Sequence, residues 1–172
     1  MGPHLKDRLR CADNQTVELL GTEPQDIDTL GPDPGPEHAF SGRSGWYPRI
    51  GIDHVAHEDV SASIAAFGDK YLNRIFTPDE QRYAADGGPL QVQRLSARFA
   101  AKEAVRKILR PRSGLSFAGV SVVHGPDGEP RLSFDPKAEA LAASVGVRSW
   151  SISITHSFGH SAAAVIAMCS HR

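Results

Sequence analysis

"RFAAKEAVRKIL", Arg98 to Leu109, is the stretch on which the fold turns. At about 100° per residue, Ala101, Ala104, Val105 and Ile108 share one arc and are expected to face a core, while Arg98, Lys102 and Arg106 form an opposite stripe expected to meet solvent. Glu103 and Lys107 belong to neither. They stand one turn apart on the flank, beside Ala100 and Ala104, where small side chains let a ligand or another backbone come close. An i,i+4 Glu–Lys pair, worth a few tenths of a kcal/mol, is the ordinary account of them on the helix alone; a metal ligand is the other, and the rest of the chain decides between them.

Working outward, this helix is predicted to run from about Gln91 to Leu109, after a break at "DGGP" (Asp86 to Pro89). Upstream, "TPDE" opens another helix, with Thr77 as N-cap, Pro78 at the first position and Glu80 closing a capping box. Before it, Val60 to Phe76 carries Ile64, Phe67, Tyr71, Leu72 and Ile75 at helical spacing and predicts one helix, and "YPRIGIDHV" reads as a strand. Downstream the rhythm turns to alternation. "SFAGVSVVHGPDGEPRLSF" predicts a hairpin turning at Gly125 to Gly128, Pro136 to Gly146 a short helix, and "SWSISIT" and "SAAAVIAMC" two closing strands. A strand, then helices, then mostly strands makes an α+β domain, with an antiparallel sheet packed on the long helix.

Composition narrows the class. The chain has 172 residues, 40% of them hydrophobic, enough for one ordinary core, and no apolar run nears the roughly 20 residues that span a bilayer. No membrane partner is expected. Residues 1–45 carry a net charge of −4 and hold the Pro/Gly/Ser-rich "GPDPGPEHAFSGRSG", which reads as a flexible extension; residues 46–172 carry +3 and form the domain. The beginning lacks an apolar signal core, and Cys11 and Cys169 offer neither a disulfide framework nor metal spacing, so a cytoplasmic protein is expected. A nucleic-acid partner is not expected, because the charge excess is small and no aromatic ladder interleaves with Arg98, Lys102 and Arg106. His54, His57, His124 and His160 form no zinc pattern and read as surface or loop residues.

Three islands are left for chemistry: Asp53 at a strand end, Glu103 on the long helix, and His156 closing "SISITH". An aspartate on a half-buried strand needs a partner, a cap or a metal. Two carboxylates from separate elements suit Mg²⁺, a hard ion that keeps water and phosphate oxygens in its other positions.

Taken together and in order, "GIDHV", "RIFTPDE", "RFAAKEAVRK", "LSFAGVSVVHGPDGEP" and "SISITHSFGHSAAAVIA" resemble the holo-[acyl-carrier-protein] synthase family of 4′-phosphopantetheinyl transferases, over roughly Arg49 to Met168. The resemblance implies that fold in its short, single-copy form. It also implies transfer of the phosphopantetheine arm of coenzyme A (CoA) to a serine of an apo acyl carrier protein, with release of adenosine 3′,5′-bisphosphate. By resemblance Asp53 and Glu103 bind Mg²⁺, Lys107 lies at the CoA phosphates and shares the catalytic work, and Arg98, Lys102 and His156 contact CoA. The base that takes the serine proton stays open between a carboxylate and water at the ion. A single "GID" and a single "KEA" leave a cleft half-built, and the short branch of the family completes it as a homotrimer.

Two departures stand out. Asp59 follows Glu58 where the family often has an arginine facing the acidic carrier, which leaves Lys70, Arg74 and Arg82 to supply the basic face. "RPRSG" replaces the usual glycine-rich turn after the long helix, with Arg110 and Arg112 either at phosphate or in water. Neither feature names the carrier, whether from fatty-acid, polyketide or peptide synthesis. A non-catalytic CoA binder is the alternative those departures leave open.

Overall fold

The structure, a computed structural model, describes residues 45–110 and 114–170. Apart from Gly45, the acidic extension lies outside these residues, as does Arg112. Strand β1 (Trp46–Ala56) leads into α1 (His57–Phe67), α2 (Asp69–Ile75) and α3 (Pro78–Ala85). A 3₁₀ turn at Gly88–Leu90 opens α4 (Gln91–Leu109), and β2 (Val120–His124), β3 (Pro130–Phe134), α5 (Pro136–Ser144), β4 (Val147–Ser157) and β5 (His160–Ser170) follow. The expected α+β architecture is present: β1, β5 and β4 form an antiparallel sheet in that order, α4 packs on β1 and β5, and β2–β3 is a separate antiparallel hairpin.

The apolar arc of α4 does face the core. Ala101, Ala104 and Val105 are fully buried with Ile108 against Ala163, Val165 and Ala167 of β5, the alternate residues of a strand whose neighbours point outward. The capping box closes as read, Thr77 Oγ1 accepting from Glu80 N at 3.3 Å and Glu80 Oε2 from Thr77 N at 2.9 Å. Asp135 caps α5 by accepting from Ala138 N at 2.7 Å, and Gly146 takes the left-handed conformation (φ 83°) just past the helix end.

Two expectations need correction. The helix predicted over 60–76 is two, α1 and α2, because Gly68 adopts φ 52° and turns the chain; Phe67 is left exposed at the break. The stripe of Arg98, Lys102 and Arg106 is not solvated. The chain after α4 and the α3–β2 wall cover that flank, so Arg98 and Lys102 are buried, and Arg106 lies over the Phe117 ring, 4.5 Å from its centroid.

Candidate active site

Alternation along β1 turns Gly51, Asp53 and Val55 toward α4 and leaves Ile50 and Ile52 exposed on the far face. Gly51 sets how closely the two elements approach, since a Cβ there would lie 2.0 Å from the carbonyl oxygen of Ala104. With strand and helix backbone almost touching, a side chain one turn further along α4 can reach a strand residue far away in sequence. Lys107 Nζ donates to Asp53 Oδ1 at 2.8 Å and to the Ile52 carbonyl at 2.5 Å, rather than pairing with Glu103. Glu103, about 6 Å back along the same flank, stands 3.8 Å from Arg106 Nε.

The donor set suits a hard divalent cation. An ammonium already sits against two oxygens there, and a second carboxylate lies one turn away. Among the described residues no group of three or more His, Cys, Asp or Glu forms a metal cage. Such an ion would need oxygens from elsewhere.

Lys102, expected at the cofactor, is elsewhere. Its side chain is 0% exposed, and its ammonium pairs with Glu80 Oε2 at 2.8 Å while donating to the carbonyls of Phe117, at 2.9 Å, and Val120. An ammonium has three N–H donors, and all three are taken. This is a correction: Lys102 ties α4 to α3 and β2 and has nothing left for a ligand. Burial pulls its pKa below the usual lysine range, with Glu80 pulling it back up. The partner carboxylate also accepts from Val122 N at 3.0 Å, so the capping-box glutamate joins three elements.

Arg98 and His156 meet across a second space, a cavity of about 320 Å³ walled by Tyr83, Arg94, Arg98, His124 and His156 among others. Arg94 and Arg98, one turn apart, place their guanidinium carbons 4.4 and 4.1 Å from the Tyr83 ring centroid, whose other neighbour is the His124 ring at 4.3 Å. Arg98 is only 4% exposed, its Nε has no hydrogen-bond partner, and burial lowers its pKa. Two arginines and two histidines around a partly apolar hollow suit an anionic ligand with an aromatic part. β5 separates β4 from β1 and the register offsets the two by two residues, so the His156 and Asp53 backbones lie roughly 12 Å apart.

Reading the sequence missed Tyr83, Arg94 and His124. The i,i+4 spacing of Arg94 and Arg98 was the available signal, since it stacks two guanidinium groups on one helix face. Of the histidines read as surface, His54 and His160 are exposed and stack at 4.6 Å, whereas half-buried His57 makes a 3.0 Å hydrogen bond to Ser161.

Residues 49–166 match the family model of the 4′-phosphopantetheinyl transferase superfamily. A holo-[acyl-carrier-protein] synthase of Koribacter versatilis is 38% identical over 118 residues, 67% of this chain and 94% of the relative; one of Salinispora arenicola is 37% identical over 69% and 95%. Among solved structures, the Helicobacter pylori holo-[acyl-carrier-protein] synthase in complex with coenzyme A is similar with a TM-score of 0.60 and 27% identity, covering 69% of this chain and 99% of that one. In the described residues no helix is long and apolar enough to cross a membrane.

Proposed function

The chain belongs to the 4′-phosphopantetheinyl transferase superfamily, and from that premise we propose that it is a Mg²⁺-dependent holo-[acyl-carrier-protein] synthase of the cytoplasm. It moves the phosphopantetheine arm of CoA onto a carrier-protein serine and releases adenosine 3′,5′-bisphosphate. The observation that carries this reading is the meeting of Lys107 with Asp53 across 54 residues, one turn from Glu103. It supplies carboxylates for a cation and an ammonium for phosphate at one edge of α4.

In this reading Asp53 and Glu103 hold the ion. Bound there, Mg²⁺ supplies Lewis-acid stabilisation of the charge on the pyrophosphate oxygens. Lys107, half in solvent, takes charge from the phosphate that becomes the leaving group. The serine Oγ–phosphorus bond forms as the bridging P–O bond breaks, and the serine proton passes to a base at the carboxylate pair. Arg98 and His156 bind CoA through the second cavity, with Arg94 and His124 beside them, where the nucleotide's 3′-phosphate and adenine find cations and an aromatic wall.

A homotrimer fits the outer sheet face. Ile50 and Ile52 are 62% and 60% exposed, and Ile166 of β5 stands opposite Ile50, an unusually apolar row for open solvent. Of "AAAVIAMC", the outward half rather than the whole strand is available for such a contact.

Incubation with CoA, Mg²⁺ and several apo carrier proteins, followed by mass spectrometry of the carrier, tests the activity. Addition of the arm to the serine is expected. CoA binding by calorimetry without transfer to any carrier would overturn the enzyme reading in favour of a binder.

A further inference from the structure

The proposed metal site holds a cation of its own. Lys107 Nζ bonds to Asp53 Oδ1 and the Ile52 carbonyl, two oxygens of the kind a hard divalent ion takes, at 2.8 and 2.5 Å. The second carboxylate is also attended, by Arg106 Nε at 3.8 Å from Glu103. Two acids face two bases, so the site without substrate is electrically balanced and has no excess negative charge to draw a dication. No third acidic, histidine or cysteine ligand stands with the pair among the described residues. Substrate phosphates carry both what the ion lacks, oxygens and negative charge, and what would pull an ammonium away.

The two partners differ in freedom. The Lys107 side chain is 51% exposed and can swing into solvent, whereas Asp53 is 18% exposed and fixed on a strand. Arg106 is held by donating to the Leu115 carbonyl at 3.0 Å and by the Phe117 ring beneath it. Lys107 is therefore the mobile member of the cluster.

We propose that Lys107 is a latch. Without CoA its ammonium occupies the cation position at Asp53; with CoA it moves onto a phosphate and frees that oxygen, so that CoA and the divalent ion bind cooperatively and the ion binds weakly alone. This rests on the metal assignment of the preceding section and adds to it a role for Lys107 before any chemistry occurs. A lysine that only contacts phosphate would oppose metal binding to the CoA-free protein through its screened charge alone, an effect of less than about twofold for a side chain lying in solvent.

The test measures Mn²⁺ binding, as a paramagnetic stand-in for Mg²⁺, by electron paramagnetic resonance on the full chain with and without CoA. No carrier is present, so nothing turns over. Wild type is expected to bind Mn²⁺ weakly alone and more tightly with CoA. Lys107→Met is expected to bind it about five- to tenfold more tightly than wild type without CoA, the low end of ordinary coupling between sites, and to show a smaller gain on adding CoA. Lys107→Arg, which keeps the charge, should stay near wild type, and Asp53→Asn should remove the tight binding and so locate it. Equal Mn²⁺ affinity in Lys107→Met and wild type without CoA would overturn the latch while leaving the transferase reading in place. Binding indifferent to Asp53→Asn would overturn the latch through its metal site. Transfer by wild type, assayed separately with carrier, reports on the enzyme reading alone. Circular dichroism of each variant confirms the fold, which a half-exposed side chain at position 107 leaves undisturbed.

Discussion

Lys102 and Lys107 stand on the same helix, each 2.8 Å from a carboxylate brought from elsewhere in the chain, yet their surroundings set them to different work. Lys102 is fully buried and spends every donor on Glu80, Phe117 and Val120, so its charge fixes α4 against α3 and β2. Lys107 is half exposed, contacts two oxygens and keeps a donor and a path to solvent. An ion pair closed on all sides holds a fold together, and moving it is costly. One left open at a cleft can exchange its partner for a phosphate or a metal.

The sharpest way to break this comparison is to remove one charged group from each side. Glu103→Ala takes away a proposed metal ligand at the open pair's edge. Transfer is expected to fall below detection in the carrier assay, while the unfolding free energy from urea titration stays within about 0.5 kcal/mol of wild type, as for surface changes generally. Full activity with Mg²⁺ as the only metal would remove Glu103 from the site. On the closed side, Lys102→Ala leaves Glu80 buried and unpaired and is expected to cost about 3–5 kcal/mol in urea unfolding. Combining Lys102→Met with Glu80→Gln should recover at least half of that loss, because the amide still accepts from Val122 N without stranding a charge. If the double variant is no more stable than Lys102→Ala, the loss comes from the missing Lys102 bonds to α3 and β2 and not from a stranded Glu80 charge.

The division between the two lysines was only half legible in the sequence. Helical spacing gave α4 its bounds, Gln91–Leu109, and put Glu103 and Lys107 on a flank of their own. Spacing could not show that the opposite stripe would be covered, because cover comes from Phe117 and β2, which are distant in sequence and pack there only once the chain folds back. Charge misled for the same reason. A lysine and an arginine at solvent-facing positions read as solvated until Glu80, itself legible only as a local cap, supplies the tertiary partner. Gly68 was passed over because the apolar rhythm continues through it, although a glycine free to take φ 52° ends one helix and starts the next. Asp53 was easier. An acid two residues after a glycine on an apolar strand already asks for a partner, and Gly51 explains how α4 comes close enough to provide one.

The smallest expected effect concerns the cavity rather than the lysines, and it sharpens what an open charged site costs. Burial, and then the Arg98 and Arg94 guanidinium groups, lower the pKa of His124 below the ordinary histidine value. The unfolded chain then takes up a proton on this ring at a higher pH than the folded chain does, so stability falls as pH drops through about 6.5, the unfolded value. Below the folded value both states are protonated, and the loss stops growing. His124 is largely exposed, and screening keeps the effect small, no more than about 0.5 kcal/mol. It is read as the difference between wild type and His124→Asn in urea unfolding at pH 7.5 and pH 5.5, with the variant losing less on acidification. CoA should shrink the contribution, since an anion held by Arg94 and Arg98 cancels their repulsion and leaves burial as the remaining cause. A wild-type loss on acidification that neither His124→Asn nor CoA alters would mean that this ring does not carry the loss and that the two arginines add nothing to it.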